Sequence, residues 1–469
     1  MTQDRREFMG TVLAGASSTM LGGCATTRSV QEATVTRPIR RSVTGLASSS
    51  PILTAYRTAI AAMKALPSSD RRNWTNQARI HNDYCPHGNW LFLPWHRAYL
   101  LYFERICRNL SGMADFALPY WNWSVTRRVP APFWSGQLLD RNRIATASSV
   151  ADSGAVGAPV LGSILSETNF QIFGSGSIPA TAGQRTRSTY GRLEGTPHNY
   201  IHGFIGGDMG NFMSPLDPIF WLHHTMIERC WVNWNFDRGH ANPSDPGWLN
   251  REFTEFCDEN GNPVRVTVAE TLGYPATYYR YDDVGPGAAG VGAAAADSSA
   301  VQNEALREAR SGANVNLEVV RQFTAPQPAV AEIDRPTAIR IPVDPQALRT
   351  AGERTLLVLE GVSLNHTEDF SVRVFINKPD ATANTPPEDP HFAGAFAFFD
   401  HQATDANHDH GDGNFVLDVS DVMKRLGIEG GAIEADVVLV PFPGRQPRTR
   451  ALTISATELR VVKDVVQPQ

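Results

Sequence analysis

Over 469 residues the chain is 42 % hydrophobic, 19 % charged and 9 % aromatic, a globular balance that excludes wholesale disorder, collagen-like repeats and a coiled-coil rod. Its 42 Lys and Arg against 48 Asp and Glu leave a formal charge of −6, so no overall basic field exists to hold phosphate backbones and nucleic acid is not an expected partner. Five cysteines at no regular spacing cannot build the disulfide framework of a small secreted scaffold.

The first element, residues 1–24, is a processing segment. Arg5-Arg6 ahead of the mild apolar run Thr11 to Leu21 resembles a twin-arginine export signal, and the run is too short for a membrane span. Leu21-Gly22-Gly23-Cys24 resembles a bacterial lipobox, which would make Cys24 the lipidated first residue of an exported, periplasmic or cell-surface protein; the plainer reading of Cys24 is a bystander thiol. Membrane attachment is expected only through that lipid. Residues 25–49, polar and rich in Ser and Thr, are expected to form a flexible tether.

Order is predicted from Ser50-Pro51, a serine N-cap followed by proline at the first helical position. Ile52, Tyr56, Ile60 and Met63 then recur at helical steps up to Pro67. Helical patterns dense in Trp, Phe and Leu return at Pro94–Leu110, Pro197–Phe204 and Asp217–Asp237, so 50–281 is predicted as a mainly α domain, a helix bundle. A Gly- and Ala-rich stretch follows Gly285, and 282–330 is predicted as a low-complexity linker. Its GxGxxG has neither a preceding strand nor a ribose-binding acid, so no dinucleotide site is expected. From 331 to 469 short alternating segments, Ala338–Pro342, Thr355–Glu360, Ser371–Ile376 and Ala435–Val440, separated by Pro-, Asn- and Gly-rich turns, predict an all-β sandwich-like domain.

The chemistry lies in the 13 histidines, eight of which fall in two groups: His81, His87 and His96, then His198, His202, His223, His224 and His240. His198 and His202 are one helical turn apart and project from one face as a ready ligand pair, to which His224 adds a third imidazole. Two sets of three imidazoles without the carboxylates that harder cations recruit favour copper. Two coppers also match oxygen chemistry, because reduction of O2 to peroxide takes two electrons.

At this point the sequence resembles the type 3 copper family of tyrosinases, catechol oxidases and molluscan haemocyanins, in the form of a bacterial tyrosinase with a C-terminal domain like that of plant polyphenol oxidases. The match runs through His87, Phe92, Trp95-His96-Arg97 and Glu104, and again through Asp217-Pro218-Ile219-Phe220-Trp221-Leu222-His223-His224. The resemblance implies two coppers, one on His81, His87 and His96 and the other on His198, His202 and His224, with His223 a neighbour. It also implies a thioether between Cys85 and His87. Glu194 and Asn199 resemble a pair that holds a water able to deprotonate an incoming phenol, while their plainer readings are a helix-start carboxylate and a surface polar residue. The implied reaction uses O2 to hydroxylate monophenols at the ortho carbon and to oxidise o-diphenols to o-quinones. The alternatives are a catechol or o-aminophenol oxidase without the first step, or an O2 carrier.

Glu228 stands where the family usually has Asp, and is expected to orient a ligand imidazole or to pair with Arg. Phe370–Asn377 and Phe392–His401 resemble the domain that covers the copper site of plant relatives and keeps them latent, with no single covering side chain evident. Met213 is read as packing near the mouth, and His408-Asp-His410 as a solvated turn. The oligomeric state and any pairing of Cys107, Cys230 and Cys257 stay open.

Overall fold

The structure, a computed structural model, describes residues 37–286, 315–333, 335–344, 352–364, 370–399, 413–428, 434–443 and 451–466. The expectations for residues 1–36, including the export signal and Cys24, and for the His408–His410 turn lie outside the described residues.

Helix α1, Pro51–Ala65, starts as its sequence dictates: the Ser50 side chain accepts from the Leu53 N–H, and Pro51 occupies the first turn, where its missing N–H costs nothing. Leu53, Tyr56, Ile60 and Met63 form its buried face, which packs against α3, Phe92–Ser111. Between them lies α2, Trp74–Tyr84, capped by Asn73. Helix α3 ends at Gly112, whose φ of 72° is the left-handed conformation that glycine adopts without strain. Downstream, a π-helical turn over Glu194–His198 runs directly into α4, Asn199–Ile205, and α5 spans Ile219–Val232.

Residues 37–49 are not a tether. Strand β1, Ile39–Arg40, pairs in parallel with β2, Arg280–Tyr281, and joins the two ends of the helical region. Arg40 is fully buried; it donates to Glu104 of α3 at 3.0 Å and to Glu228 of α5 at 3.2 Å. Arg97 of α3 also donates to Glu228, at 2.9 Å. Buried charges persist only when paired, and deleting one partner typically costs about 3–5 kcal/mol. A segment that resembles loose chain in composition is therefore a brace between the two helices that carry His96 and His224.

The C-terminal region holds two sheets built from strands that alternate inward and outward residues. The first contains β3 (Val315–Thr324), β4 (Ala329–Glu332), β6 (Glu353–Leu364), β9 (Gly413–Asp418) and β11 (Ala451–Val466), in the order β9-β6-β11-β3 with β4 also on β11. The second contains β5 (Thr337–Pro342), β7 (Phe370–Ile376), β8 (Phe392–Ala397) and β10 (Glu434–Pro443), in the order β8-β7-β10-β5. Every pairing within the two sheets is antiparallel. Strand β3 and the start of β4 fall inside the predicted linker, so the β region begins by 315 rather than 331.

Edge strand β8 rests on the helical region. Arg373 clamps Asp152 through two nitrogens at 3.1 and 2.5 Å, Arg354 meets Glu167 at 2.5 Å, and the Tyr190 N–H donates to the Asn414 carbonyl at 2.8 Å. Among the described residues no helix is long and apolar enough to cross a membrane.

Candidate metal centre

Four helices and one loop converge on a single cluster. His81 sits in the last turn of α2 and His87 in the loop that follows, where Gly88 turns the chain at a φ of 68°. His96 is in α3, His198 closes the π-helical turn, His202 is in α4 and His224 is in α5. All six are buried. Ring centroids lie 5.5 Å apart for His81–His87, His81–His96 and His87–His96, 4.6 Å for His198–His202, and 5.0 and 5.4 Å from His224 to those two. The two triads abut through His87–His198 at 5.3 Å and His96–His224 at 4.3 Å.

The hydrogen bonds on the outer nitrogens determine where the inner ones point. Nδ1 of His81 lies 2.7 Å from the Phe212 carbonyl, that of His96 2.8 Å from Phe92, and that of His202 2.7 Å from Met209. Nδ1 of His87 lies 2.9 Å from Glu194 Oε1 and that of His198 2.8 Å from Asn199 Oδ1. A carbonyl oxygen can only accept, and Glu194 Oε1 already accepts from the Gly88 N–H, so each of these Nδ1 atoms carries the proton and each Nε2 presents a lone pair inward. Among the described residues Nε2 of His81, His87, His96 and His198 has no hydrogen-bond partner, and Nε2 of His202 and His224 meet each other at 3.2 Å. Buried acceptors left without donors cost about 1–3 kcal/mol each, and a cation held among them would satisfy all of them.

Electrostatics point the same way. Burial pushes every one of the six imidazoles below the usual range, to about 3 for His96 and His202. They are therefore neutral near pH 7, the state in which an imidazole ligates a metal. Six neutral nitrogens of borderline softness fit copper and offer nothing to a hard, oxygen-seeking cation. His223 is buried in the same cluster, beside the rings of His198, His202 and His224. His240 lies apart, beside the Trp234 ring at 5.2 Å.

Two acids stand near the cluster, and Glu228 takes the Arg-paired one of its two expected roles. Glu194 is buried with both oxygens engaged: Oε1 accepts from the Gly88 N–H at 2.9 Å and meets His87, while Oε2 accepts from the Ser175 hydroxyl at 2.5 Å. Burial pushes its carboxyl up to about 8 against the pull of those donors. Glu228 touches no imidazole; it pairs with Arg97 and Arg40 and accepts from the hydroxyls of Tyr279, at 2.8 Å, and Tyr281. Cys85 Sγ lies within 4.8 Å of a ligand nitrogen of His81 and of His87. Cys107, Cys230 and Cys257 are buried thiols with no disulfide. Met213 is half-buried, and its neighbour Phe212 forms the wall of the site.

Among the described residues, one site residue comes from the β region. Phe399, just past β8, places its ring 4.2 Å from His202, 4.9 Å from His87, 5.7 Å from His198 and 5.4 Å from Phe212. The strand is held there by the Thr196 hydroxyl, which donates to the Ala395 carbonyl at 2.5 Å, and by Asn199 Nδ2, which donates to the Ala397 carbonyl at 2.9 Å. Strand alternation accounts for the choice of ring. Phe396 and Phe398 pack into the β core with Phe415, while Ala397 and Phe399 join the core of the helical region. That period of two was readable from the string Phe396-Ala397-Phe398-Phe399; which face met the histidines was not.

Comparison with known proteins gives a consistent result. Residues 59–171 and 166–236 match the family described as the common central domain of tyrosinase, 242–287 the polyphenol oxidase middle domain, and 329–460 the chloroplastic polyphenol oxidase C-terminal domain. The chain is 29 % identical over 469 residues to (+)-larreatricin hydroxylase, chloroplastic, of Larrea tridentata, covering 87 % of this chain and 75 % of that one. It is 28 % identical over 455 residues to catechol oxidase B, chloroplastic, of Solanum tuberosum, covering 87 % and 74 %. The fold superposes on latent apple tyrosinase with a TM-score of 0.66 at 24 % identity, over 91 % of this chain and 97 % of that chain.

Proposed function

We propose, from the premise that the chain belongs to the tyrosinase and polyphenol oxidase family of copper oxidoreductases that oxidise phenols with O2, that His81, His87 and His96 hold one copper and His198, His202 and His224 the other. The observation that carries this reading is the convergence of six buried, neutral imidazoles, of which four present inner nitrogens with no hydrogen-bond partner among the described residues and two meet only each other there. When bound, the two coppers supply the electrons that O2 reduction requires. The protein's own residues supply position: three backbone carbonyls, Glu194 and Asn199 fix five rings in one tautomer, and the Arg97–Glu228 ion pair ties the two ligand helices together.

The β region is a cover. Phe399 fills the space beside the ligand rings that a phenol would take, so the chain as folded is latent and turnover requires β8 to withdraw. Once it does, Asn199 Nδ2 loses the Ala397 carbonyl and is free to bind water or substrate at the ring of His198. With Glu194 beside His87, Asn199 would hold the water that takes the proton of an incoming monophenol, so the chain hydroxylates monophenols as well as oxidising o-diphenols to o-quinones. A second reading has an observation of its own: both Glu194 oxygens are already used by His87, Gly88 and Ser175, which favours a catechol oxidase that acts on diphenols alone. Oxygen uptake by copper-loaded protein with a monophenol and then with its diphenol decides between them.

Two covalent features complete the proposal. A Cys85–His87 thioether, supported by the proximity of Sγ to that ring, would lock its rotation and is testable by peptide mass. Export with lipidation at Cys24 rests on the Arg5-Arg6 and Leu21–Cys24 patterns, and is testable by fractionation and labelling with a fatty-acid probe.

A further inference from the structure

We propose that the groove at the seam of the two regions, where Ser163 and Arg192 face Phe392 and Arg425, is a binding site for a small aromatic carboxylate, and that its occupant locks the β region onto the helical one. The site is separate from the histidine cluster; only its effect on turnover rests on the phenol-oxidase reading above.

The groove has two lobes. One, of about 380 Å³, runs past Val160 of the helix Ala158–Leu165 and past Pro390; the other, of about 490 Å³, reaches Arg354. Volumes in this range suit a small organic ligand. Both lobes are bordered by Ser163, Arg192, Phe392, Ala393 and Arg425. Ser163 and Arg192 belong to the helical region, Phe392 and Ala393 open β8, and Arg425 ends the helix Ser420–Arg425.

The polar groups favour an anion. Arg192 is half-buried and donates to the hydroxyl of Ser163 at 2.8 Å and to its carbonyl at 3.2 Å, and Arg425 donates to the Pro390 carbonyl at 2.8 Å. These partners are neutral. The acids of the groove are engaged elsewhere or face water: Arg354 takes Glu167 at 2.5 Å and Asp418 at 3.5 Å, Lys378 takes Asp389 at 3.4 Å, and Glu388 and Asp421 are exposed. Desolvation pulls the Arg192 guanidinium below the usual arginine range, against the attraction of Asp418, Glu167 and Asp421. A cation in that state gains from an added anion, and a guanidinium binds a carboxylate through two parallel hydrogen bonds. Around the charges stand Pro159, Val160, Pro390 and the Phe392 ring, a lining for an aromatic body rather than for bare phosphate.

Because its walls come from both regions, the groove exists only while they are docked. Its ends abut the clamps that dock them: Ser153 follows Asp152, the partner of Arg373, and Glu167 with Arg354 lines the far lobe. A ligand bound only there stabilises the docked state by mass action, and at ten times its dissociation constant it lowers the undocked population about tenfold.

The copper-free full-length chain tests this with 2-naphthoate as the probe, against its neutral alcohol analogue and inorganic phosphate. Calorimetry is expected to show one naphthoate per chain, bound about tenfold or more tighter than either control, with Arg192→Gln and Arg425→Gln each weakening it about tenfold or more. Arg425 is exposed, so its substitution leaves the fold intact. Hydrogen exchange reads the lock: the Tyr190 N–H, whose bond to the Asn414 carbonyl crosses the seam, is expected to exchange more slowly with naphthoate present. In the copper-loaded chain naphthoate is expected to lower oxygen uptake with an o-diphenol, by up to about tenfold at ten times its Kd. That effect is lost in Arg425→Gln, whereas inhibition at the metal would persist there.

Absence of naphthoate binding, or equal affinity in the parent and both arginine variants, overturns the site. Binding that leaves Tyr190 exchange unchanged overturns the lock. Arginine-dependent binding with slowed exchange, in a chain that consumes no oxygen with diphenols when loaded with copper and cut in the stretch following Gly285, upholds this inference and overturns the phenol-oxidase reading.

Discussion

The helical and β regions reach the same few cubic ångströms by different physical means. The helical region builds its site from the inside: six imidazoles on buried elements, each outer nitrogen but one tied to an acceptor, and an ion cluster of Arg40, Arg97, Glu104 and Glu228 fixing the helices that carry them. The β region has its own core and, among the described residues, contributes to the site a single ring, held by two carbonyl contacts and, farther out, by the Arg373–Asp152 and Arg354–Glu167 pairs. The first arrangement is costly to disturb, and the second is held by a few contacts at a seam. On the proposed reading, rigidity is concentrated on the metal ligands, and control of access falls to the seam.

Substitutions should separate the two regions by the size and kind of their effects. The largest is expected for His96→Ala or His224→Ala, which abolish oxygen uptake with any phenol and lower the copper content measured by elemental analysis below two per chain. Next, Glu194→Ala removes the oxygen that holds His87, and losing a group that supports a ligand in this way typically costs about 10–100-fold in metal affinity; copper competition with a chelator measures it. Phe399→Ala acts in the opposite direction. Truncating a buried phenylalanine costs its side about 3–5 kcal/mol, which raises the open population and with it the oxygen uptake of the intact chain by roughly a hundredfold or until opening is complete. Asp152→Ala breaks the Arg373 clamp at the seam and is expected to raise uptake about three- to tenfold, with less further gain when Arg373→Ala is added, because the two substitutions share that interaction.

The smallest effect concerns pH. His96 and His202 are depressed from 6.5 to about 3 by burial, so below pH 6.5 the unfolded chain takes up protons that the folded chain refuses. Stability of the copper-free protein therefore falls as pH drops from about 6.5 toward 3. Denaturant titrations at pH 7 and pH 5 should show the midpoint decline, and bound copper should reduce that decline.

The same contrast explains what could be read from the residues alone. The proposed metal ligands obey local rules: His198 and His202 are one turn apart, and His96 and His224 sit in helical runs dense with aromatics, so the cluster was legible before the fold was known. Arg40 was not, because its meaning lies in acids 64 and 188 positions away, and a buried charge cannot be told from a solvated one by its neighbours in sequence. Strand β3 was hidden by its composition. Glu318, Gln322 and Thr324 on an edge strand beside a Gly- and Ala-rich stretch resemble linker, and only pairing with β11 reveals them as the solvent face of a sheet. The partners of Glu194 were missed for a related reason: helix-start position gives an acid's location but not which of His87, Gly88 or Ser175 will reach it.

The most direct test of a dicopper phenol oxidase under a β-domain cover is oxygen uptake with a simple o-diphenol, by protein titrated with copper, before and after cleavage in the stretch following Gly285. Uptake that grows until two coppers are bound per chain, and that rises when the cover is cut free, is the expected result. A chain that binds two coppers, has lost its cover and consumes no oxygen with diphenols would contradict it.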